Sequence, residues 1–347
     1  MKILVTGGAG YLGSVLVPKL LARGHCVRTL DIGYFGVNTL RKAYPRMEMI
    51  HDDIRSVVRK PSKLEGLIDG CECVIHLAAI SNDPSAELDP NLTMDVNLHA
   101  TGILAEKARD MRLPFLFSSS CSVYGDATKE IQETDDVRPL TIYAETKVCA
   151  ERTLNQLADH SWKPLILRNG TLFGYSPRMR FDLVVNIFCL YSTLHNEIRI
   201  FGDGQQWRPF LHVSDCARAF VHFAEHHEAE YSCYNVAHEN LRVVDLAGMF
   251  RDMNPRLKVT HLDLPNEDRR DYAVSTARLR KAGFEAKTDV RTGAEALVDA
   301  ITGGLIRDPE SIYYRNAKWL KELTALKDED HIHITTIMDT ITRVGGA

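Results

Sequence analysis

The chain has 347 residues, 45% of them hydrophobic and 25% charged, the composition of a globular protein with room for one large domain or two ordinary ones. A formal net charge of −4 and the lack of any Lys/Arg block argue against a nucleic-acid-binding surface. No apolar run reaches the roughly 18 residues that would span a bilayer, and the chain enters a strand at once with no basic leader, so a cytoplasmic protein is expected.

Strand-like and helix-like segments alternate from the start. Ile3–Thr6 reads as a strand, Tyr11–Arg23 as a helix closed by Gly24, with a bend expected at Pro18 because proline lacks the backbone donor. Cys26–Leu30 is the next strand and ends at Asp31; Met47–His51 and Val74–Leu77 follow. Asp95–Met111 is a long helix, Pro114–Ser118 a strand, Tyr143–Ala158 another long helix and Leu165–Arg168 another strand. This alternation predicts an α/β fold with a doubly wound parallel sheet covered by helices on both faces.

After about residue 170 the segments become shorter and more mixed, with turn signals at Gly202-Asp203-Gly204 and Asn254-Pro255. The expected division is a parallel-sheet domain over 1–170, with a returning segment near 213–235 that includes the helical Val213–His227. A smaller mixed substrate lobe would take 171–212 and 236–315, and 316–347 would be a C-terminal extension.

The eight cysteines are scattered without a C-x-x-C pair and are read as free thiols. Cys71-x-Cys73 leads into an apolar run and reads as the start of a strand. His331-x-His333 has no evident third ligand. No metal site is expected.

Between the first strand and helix lies Gly7-Gly8-Ala9-Gly10-Tyr11-Leu12-Gly13. It parses as G-x-x-G-x-x-G through Gly7, Gly10 and Gly13, or as G-x-G-x-x-G through Gly8, Gly10 and Gly13. Either way small residues let backbone approach a pyrophosphate at a helix N-terminus. Asp31 ends the second strand 18 residues after Gly13. A carboxylate there accepts from an adenosine ribose diol and repels a 2′-phosphate, which favours NAD over NADP. Asp53 and Ile54 follow the third strand, where they could hold the adenine edge. Leu77, Ala78 and Ala79 end the fourth, where small residues allow close approach of the cofactor.

Tyr143-Ala144-Glu145-Thr146-Lys147 puts a phenol and an ammonium one helical turn apart. The ammonium is expected to lower a tyrosine pKa that starts near about 10, suiting Tyr143 to proton exchange with an alcohol. Ser118-Ser119-Ser120-Cys121-Ser122 follows a strand, with Ser120 standing 23 residues before Tyr143.

Together these segments resemble the extended short-chain dehydrogenase/reductase family, in its nucleotide-sugar epimerase and dehydratase branch. The resemblance covers residues 1–285 and includes Arg208-Pro209-Phe210-Leu211-His212-Val213. It implies a Rossmann-type domain holding NAD, with Gly7, Gly10, Tyr11, Leu12, Gly13, Asp31, Asp53, Ile54, Leu77, Ala78, Ala79 and Ser118 at the cofactor. It further implies Tyr143 as base, Lys147 on the nicotinamide ribose, Ser120 on the sugar O4, and Asn97 supporting the lysine end.

On the substrate side the resemblance implies a nucleotide-diphosphate sugar. Arg208 matches an arginine on its diphosphate, and Arg270, within Asp268-Arg269-Arg270-Asp271-Tyr272, a second clamp. Thr171 stands where the family usually has an asparagine. Arg178 or Arg180 could bind an acidic sugar or more phosphate, unless they belong to a solvated loop. Sugar 4,6-dehydratases carry Thr-Asp-Glu where this chain has Ser120-Cys121-Ser122, so elimination of water is disfavoured. Cys121 and Ser122 are expected to line the sugar pocket. A 3,5-epimerase cysteine would fall at Ser122 rather than at Cys121.

The expected activity is NAD-dependent epimerisation at C4 through a 4-keto sugar. Rivals are a 4-ketoreductase or dehydrogenase, a dehydratase or multistep synthase, and a dinucleotide sensor without chemistry. The two long helices suggest, by resemblance, a four-helix homodimer interface.

Overall fold

The computed structural model describes residues 1–41, 47–263 and 270–330. Asp268, Arg269, His331 and His333 lie outside the described residues. In chain order the first strands are β1 (Lys2–Thr6), β2 (Cys26–Asp31), β3 (Met47–His51), β4 (Cys73–His76) and β5 (Phe115–Ser120). Then come β6 (Asp126–Ile131), β7 (Leu165–Asn169), β8 (Thr171–Phe173), β9 (Glu197–Phe201) and β10 (Trp207–His212). The last are β11 (Cys233–Val236), β12 (Glu239–Arg242), β13 (Lys258–Leu262) and β14 (Asp271–Val274).

Seven strands form one parallel sheet in the order β11-β7-β5-β4-β1-β2-β3. The order reverses between β1 and β4, where the chain, having wound outward to β3, returns to the centre. Open α/β sheets bind ligands in the crevice at such a switch point, beyond the carboxyl ends of the strands.

Alternation of side chains sorts the strands' residues onto two cores. Ile3, Val5, Cys73, Ile75 and Leu116 face helices Gly13–Ala22 and Val213–Glu225. Leu4, Val74, Phe115 and Phe117 face helices Ala100–Asp110 and Ile142–Leu157 through Leu104, Ala108, Ala150 and Leu154. Covering both faces excludes water from the strands, and each fully buried Leu, Val or Phe contributes about 1.5–3 kcal/mol.

Three small sheets stand beyond the carboxyl edge: β12-β10-β8, β13-β9 and β14-β6. β11, which the sequence reading did not pick out, pairs with β7 and extends the main sheet. The helix expected from Asp95 starts at Pro90, with Asp89 as its cap accepting from Leu92 N at 2.9 Å. It passes through a π turn at Asp95–His99 before continuing as Ala100–Asp110. Helix Gly13–Ala22 contains Pro18 in its interior.

No helix among the described residues is long and apolar enough to cross a membrane. Among those residues no group of three or more His, Cys, Asp or Glu is placed to hold a metal ion, and Cys71 and Cys73 are buried free thiols.

Candidate active site

A cleft of about 820 Å³ opens at the switch point. Its floor is the turn after β1. Gly7 adopts φ +73°, a conformation that favours glycine, and a Cβ there would lie 2.7 Å from Ala78 N. A Cβ on Gly13 would lie 2.4 Å from the Gly7 carbonyl oxygen, and one on Gly8 would lie 2.0 Å from Thr29 Cγ2. A Cβ on Gly10 would approach only the Gly7 carbonyl, at 3.2 Å. The run is thus close-packed beneath and open to the cleft, whose wall also includes Tyr11 and Leu12. Tyr11 is pinned by donating to Gly174 O at 2.6 Å.

Asp31, at the end of β2, lines the same cleft. Its carboxylate accepts from Ala9 N at 2.9 Å and Gly33 N at 2.8 Å. Burial raises its pKa, and those two amides pull it back. Asp53 lines the cleft beside Ile54, but its carboxylate caps helix Ile54–Val58 and pairs with Arg55 at 2.6 Å. Leu77, Ala78, Ala79 and Ser118 also line the cleft. The glycine cradle that a Cβ would fill, and the Asp31 carboxylate at the end of β2, fit a bound NAD.

Thr141 caps helix Ile142–Leu157 by accepting from Ala144 N at 3.2 Å, which orients Tyr143 and Lys147 toward the cleft. Lys147 is 3% exposed and donates to Ser118 O at 2.9 Å. Burial lowers its pKa to about 8, with Glu151 pulling it back up. Tyr143 shows no lowering here, against the expectation from spacing. Burial, then the Asp83 carboxylate, pushes it up to about 12, while a contact with the Ser120 hydroxyl opposes the rise. The lysine does not overcome this because its ammonium points to the Ser118 carbonyl, 5.7 Å from the Tyr143 ring centre.

Cys121, expected to line the sugar pocket, and Asn97, expected to support the lysine end of the site, both lie behind the wall. Cys121 is 1% exposed and its thiol donates to Arg168 O at 3.1 Å. Burial raises its pKa further. The strand ends at Ser120 and a 3-10 turn begins, which turns Cys121 into a core with Val123 and Tyr124 while Ser120 and Ser122 stay in the cleft. Asn97 is also buried away from the cleft. Its side chain brackets Ile80, accepting from the amide at 2.8 Å and donating to the carbonyl at 3.1 Å, and donates to Thr146 Oγ1 at 3.1 Å. The π turn carries it there, where it ties the loop at Ile80 to Thr146, the residue before Lys147.

Thr171, Arg180, Arg208 and Arg270 line the cleft. Arg180 is held by Asp182 at 2.9 Å. Arg208 donates to the carbonyls of Trp207 and Arg270. Arg270 pairs with Asp83 at 2.6 Å, and Asp83 also accepts from Thr141 at 2.5 Å. Asp83 therefore couples Arg270 to Tyr143. Sequence reasoning missed it, and its only signal was Asn82-Asp83-Pro84 just beyond a strand end. Asn82 sits at φ +75°, ψ 157°, a conformation costing about 1–3 kcal/mol, and is fixed by donating to Asp182 at 2.8 Å.

The arrangement is that of a known family. Residues 3–237 match the NAD dependent epimerase/dehydratase family. The chain belongs to that family. Its cofactor is accordingly NAD. It is 31% identical over 231 residues to the uncharacterized UDP-glucose epimerase YtcB of Bacillus subtilis, covering 64% of this chain and 72% of that protein. It is 28% identical over 320 residues to the ADP-L-glycero-D-manno-heptose-6-epimerase of Alkalilimnicola ehrlichii, covering 86% of this chain and 97% of that one. The UDP-glucose 4-epimerase of Thermotoga maritima, solved with UDP-glucose, superposes with a TM-score of 0.77 at 25% identity, over 88% of this chain and all (100%) of that one.

Proposed function

We propose that this enzyme epimerises a UDP-sugar at C4 by transient oxidation to the 4-keto sugar. The observation that carries the reading is the convergence of Tyr143, Ser120 and Lys147 on the wall of the NAD cleft. The absence of any carboxylate at positions 121 and 122 supports it.

In this scheme Tyr143 takes the proton from the sugar O4, and Ser120 donates to that oxygen and fixes its direction. Lys147 holds Ser118 and offers positive charge beneath the phenol. NAD held in the Gly7–Gly13 cradle would supply reversible hydride transfer, and the Lys147 ammonium favours the phenolate. Arg208 and Arg270 hold the diphosphate while the keto sugar turns over, so hydride returns to the opposite face. Arg270 must exchange Asp83 for the diphosphate as the substrate enters. That exchange moves the Asp83 carboxylate's partner just where the Tyr143 pKa is set. A homodimer through helices Ala100–Asp110 and Ile142–Leu157 belongs to the same proposal.

The test begins by denaturing protein purified without added nucleotide and identifying what it releases. Bound NAD is expected. UDP-hexoses are then incubated in deuterated water and the products separated by C4 configuration. Epimerisation without deuterium on carbon is the expected result. Loss of water or carbon dioxide, or stoichiometric consumption of added NAD(P)H, would replace this reading with elimination, decarboxylation or net reduction.

A further inference from the structure

One part of the cleft belongs to neither the glycine cradle nor the catalytic wall. Arg178 lines the cleft, is 2% exposed, and stacks on the Phe35 ring with its guanidinium carbon 3.6 Å from the ring centre. Phe35 stands in the loop that follows Asp31. Arg178 has one strong partner, donating through Nη2 to Asn316 Oδ1 at 2.5 Å, and a long contact from Nη1 to Met179 O at 3.4 Å. Its Nε is buried with no hydrogen-bond partner among the described residues. A buried guanidinium with an unsatisfied donor is unfavourable, and an anion in the cleft beside Arg178 would offset that cost through its charge.

Asn316 opens the helix Asn316–Asp330 and is itself 4% exposed. Its backbone amide donates to Asp182 at 3.1 Å and its side chain to Ser81 at 3.4 Å. Arg315, Ala317 and Lys318 also face the cleft, so the positive end of a 15-residue helix adjoins Arg178. The segment is tied on both banks. Tyr313 donates its hydroxyl to Phe35 O, and Trp319 its indole N–H to Tyr34 O at 2.6 Å. On the other bank Phe181 N donates to Tyr314 O at 2.8 Å. The segment therefore bridges the loop after β2 and the loop at residues 178–182, across the dinucleotide groove.

We propose that Ser311–Trp319 is a strap that retains NAD, and that Asn316 is a positioning residue that aims Arg178 at the cofactor's phosphates. The proposal rests on the NAD site and not on the epimerase reading. A cofactor regenerated at every turnover has no need to leave. A strap fastened by side-chain bonds to both banks gives release a barrier without altering the chemistry at Tyr143.

The test loads the protein with NAD deuterated on the nicotinamide ring, chases with unlabelled NAD, and follows retained label by mass spectrometry. Asn316→Ala and Tyr313→Phe are compared with Lys321→Ala, an exposed position on the same helix. The first two should release NAD at least tenfold faster than wild type, and Lys321→Ala at the wild-type rate. In both strap variants the rise in Tm on adding NAD should shrink by more than any fall in the Tm of the NAD-free protein, which separates positioning from simple loss of fold. If Asn316→Ala does not fold, Tyr313→Phe, which removes one hydroxyl, decides alone. Unchanged release from the strap variants, or rapid exchange in wild type, would overturn the proposal. Epimerase assays are separate: loss of retention with intact chemistry supports the strap whatever sugar is turned over.

Discussion

Replacing Lys147 by Met tests whether the site is built at the expense of stability. Burial lowers the Lys147 pKa from 10.5 to about 8, a penalty on the charged form of about 3 kcal/mol. The hydrogen bond to Ser118 O returns roughly 1.5–3 kcal/mol. Met fills a similar volume without the charge, and Glu151 keeps its partner Arg168 at 2.6 Å. NAD-free K147M should therefore match wild type at pH 7 or exceed it by about 1 kcal/mol, while activity falls by roughly 10²–10⁴. The sign with pH follows from proton counting. Between pH 8 and 10.5 the unfolded chain keeps the proton that folded wild type has released, so wild-type stability rises across that window. Relative to wild type, K147M should lose about 3 kcal/mol over the same window. Urea unfolding of both NAD-free proteins at several pH values measures this. A variant destabilised by more than about 2 kcal/mol at pH 7, with a gap that stays flat to about pH 10, would refute the reasoning.

Tyr143→Phe should lose roughly 10²–10⁴ or more in turnover while still releasing NAD on denaturation; retained turnover would remove Tyr143 from proton transfer. Gly13→Ala places a Cβ 2.4 Å from Gly7 O and 2.5 Å from Gly8 O, both backbone atoms that cannot swing aside. It should yield protein purified without NAD and with a lower Tm, and full occupancy would show the turn to be looser than its packing implies. Cys121→Ser keeps a donor for Arg168 O and should change kcat/KM by no more than about threefold, under roughly 1 kcal/mol. A large loss there would place Cys121 at the reacting centre.

The alternation of elements and the glycine turn were legible because they are local. A strand of Ile3, Leu4 and Val5, a turn that only small residues can make, and a carboxylate at the next strand end specify a dinucleotide crevice through backbone sterics alone. The Tyr143–Lys147 pairing was legible for the same reason, since helical periodicity fixes which face both occupy. β11 was not, because Cys233–Val236 is a four-residue run whose identity as a sheet edge depends on pairing with β7. The Tyr143 pKa was not, because burial and Asp83, 60 residues away, outweigh the lysine one turn along.

Sequence by itself determined the parallel sheet, the glycine cradle, the carboxylate at Asp31 and the face shared by Tyr143 and Lys147, all set by steric rules acting over a few residues. Tertiary structure decided which neighbours reach the cleft. It turned Cys121 and Asn97 inward, through a 3-10 turn and a π turn. It also set Asp83 between base and arginine, and brought Asn316 across 138 residues to Arg178. Such placements depend on long-range packing and on the pairing of buried charges, which no local pattern encodes.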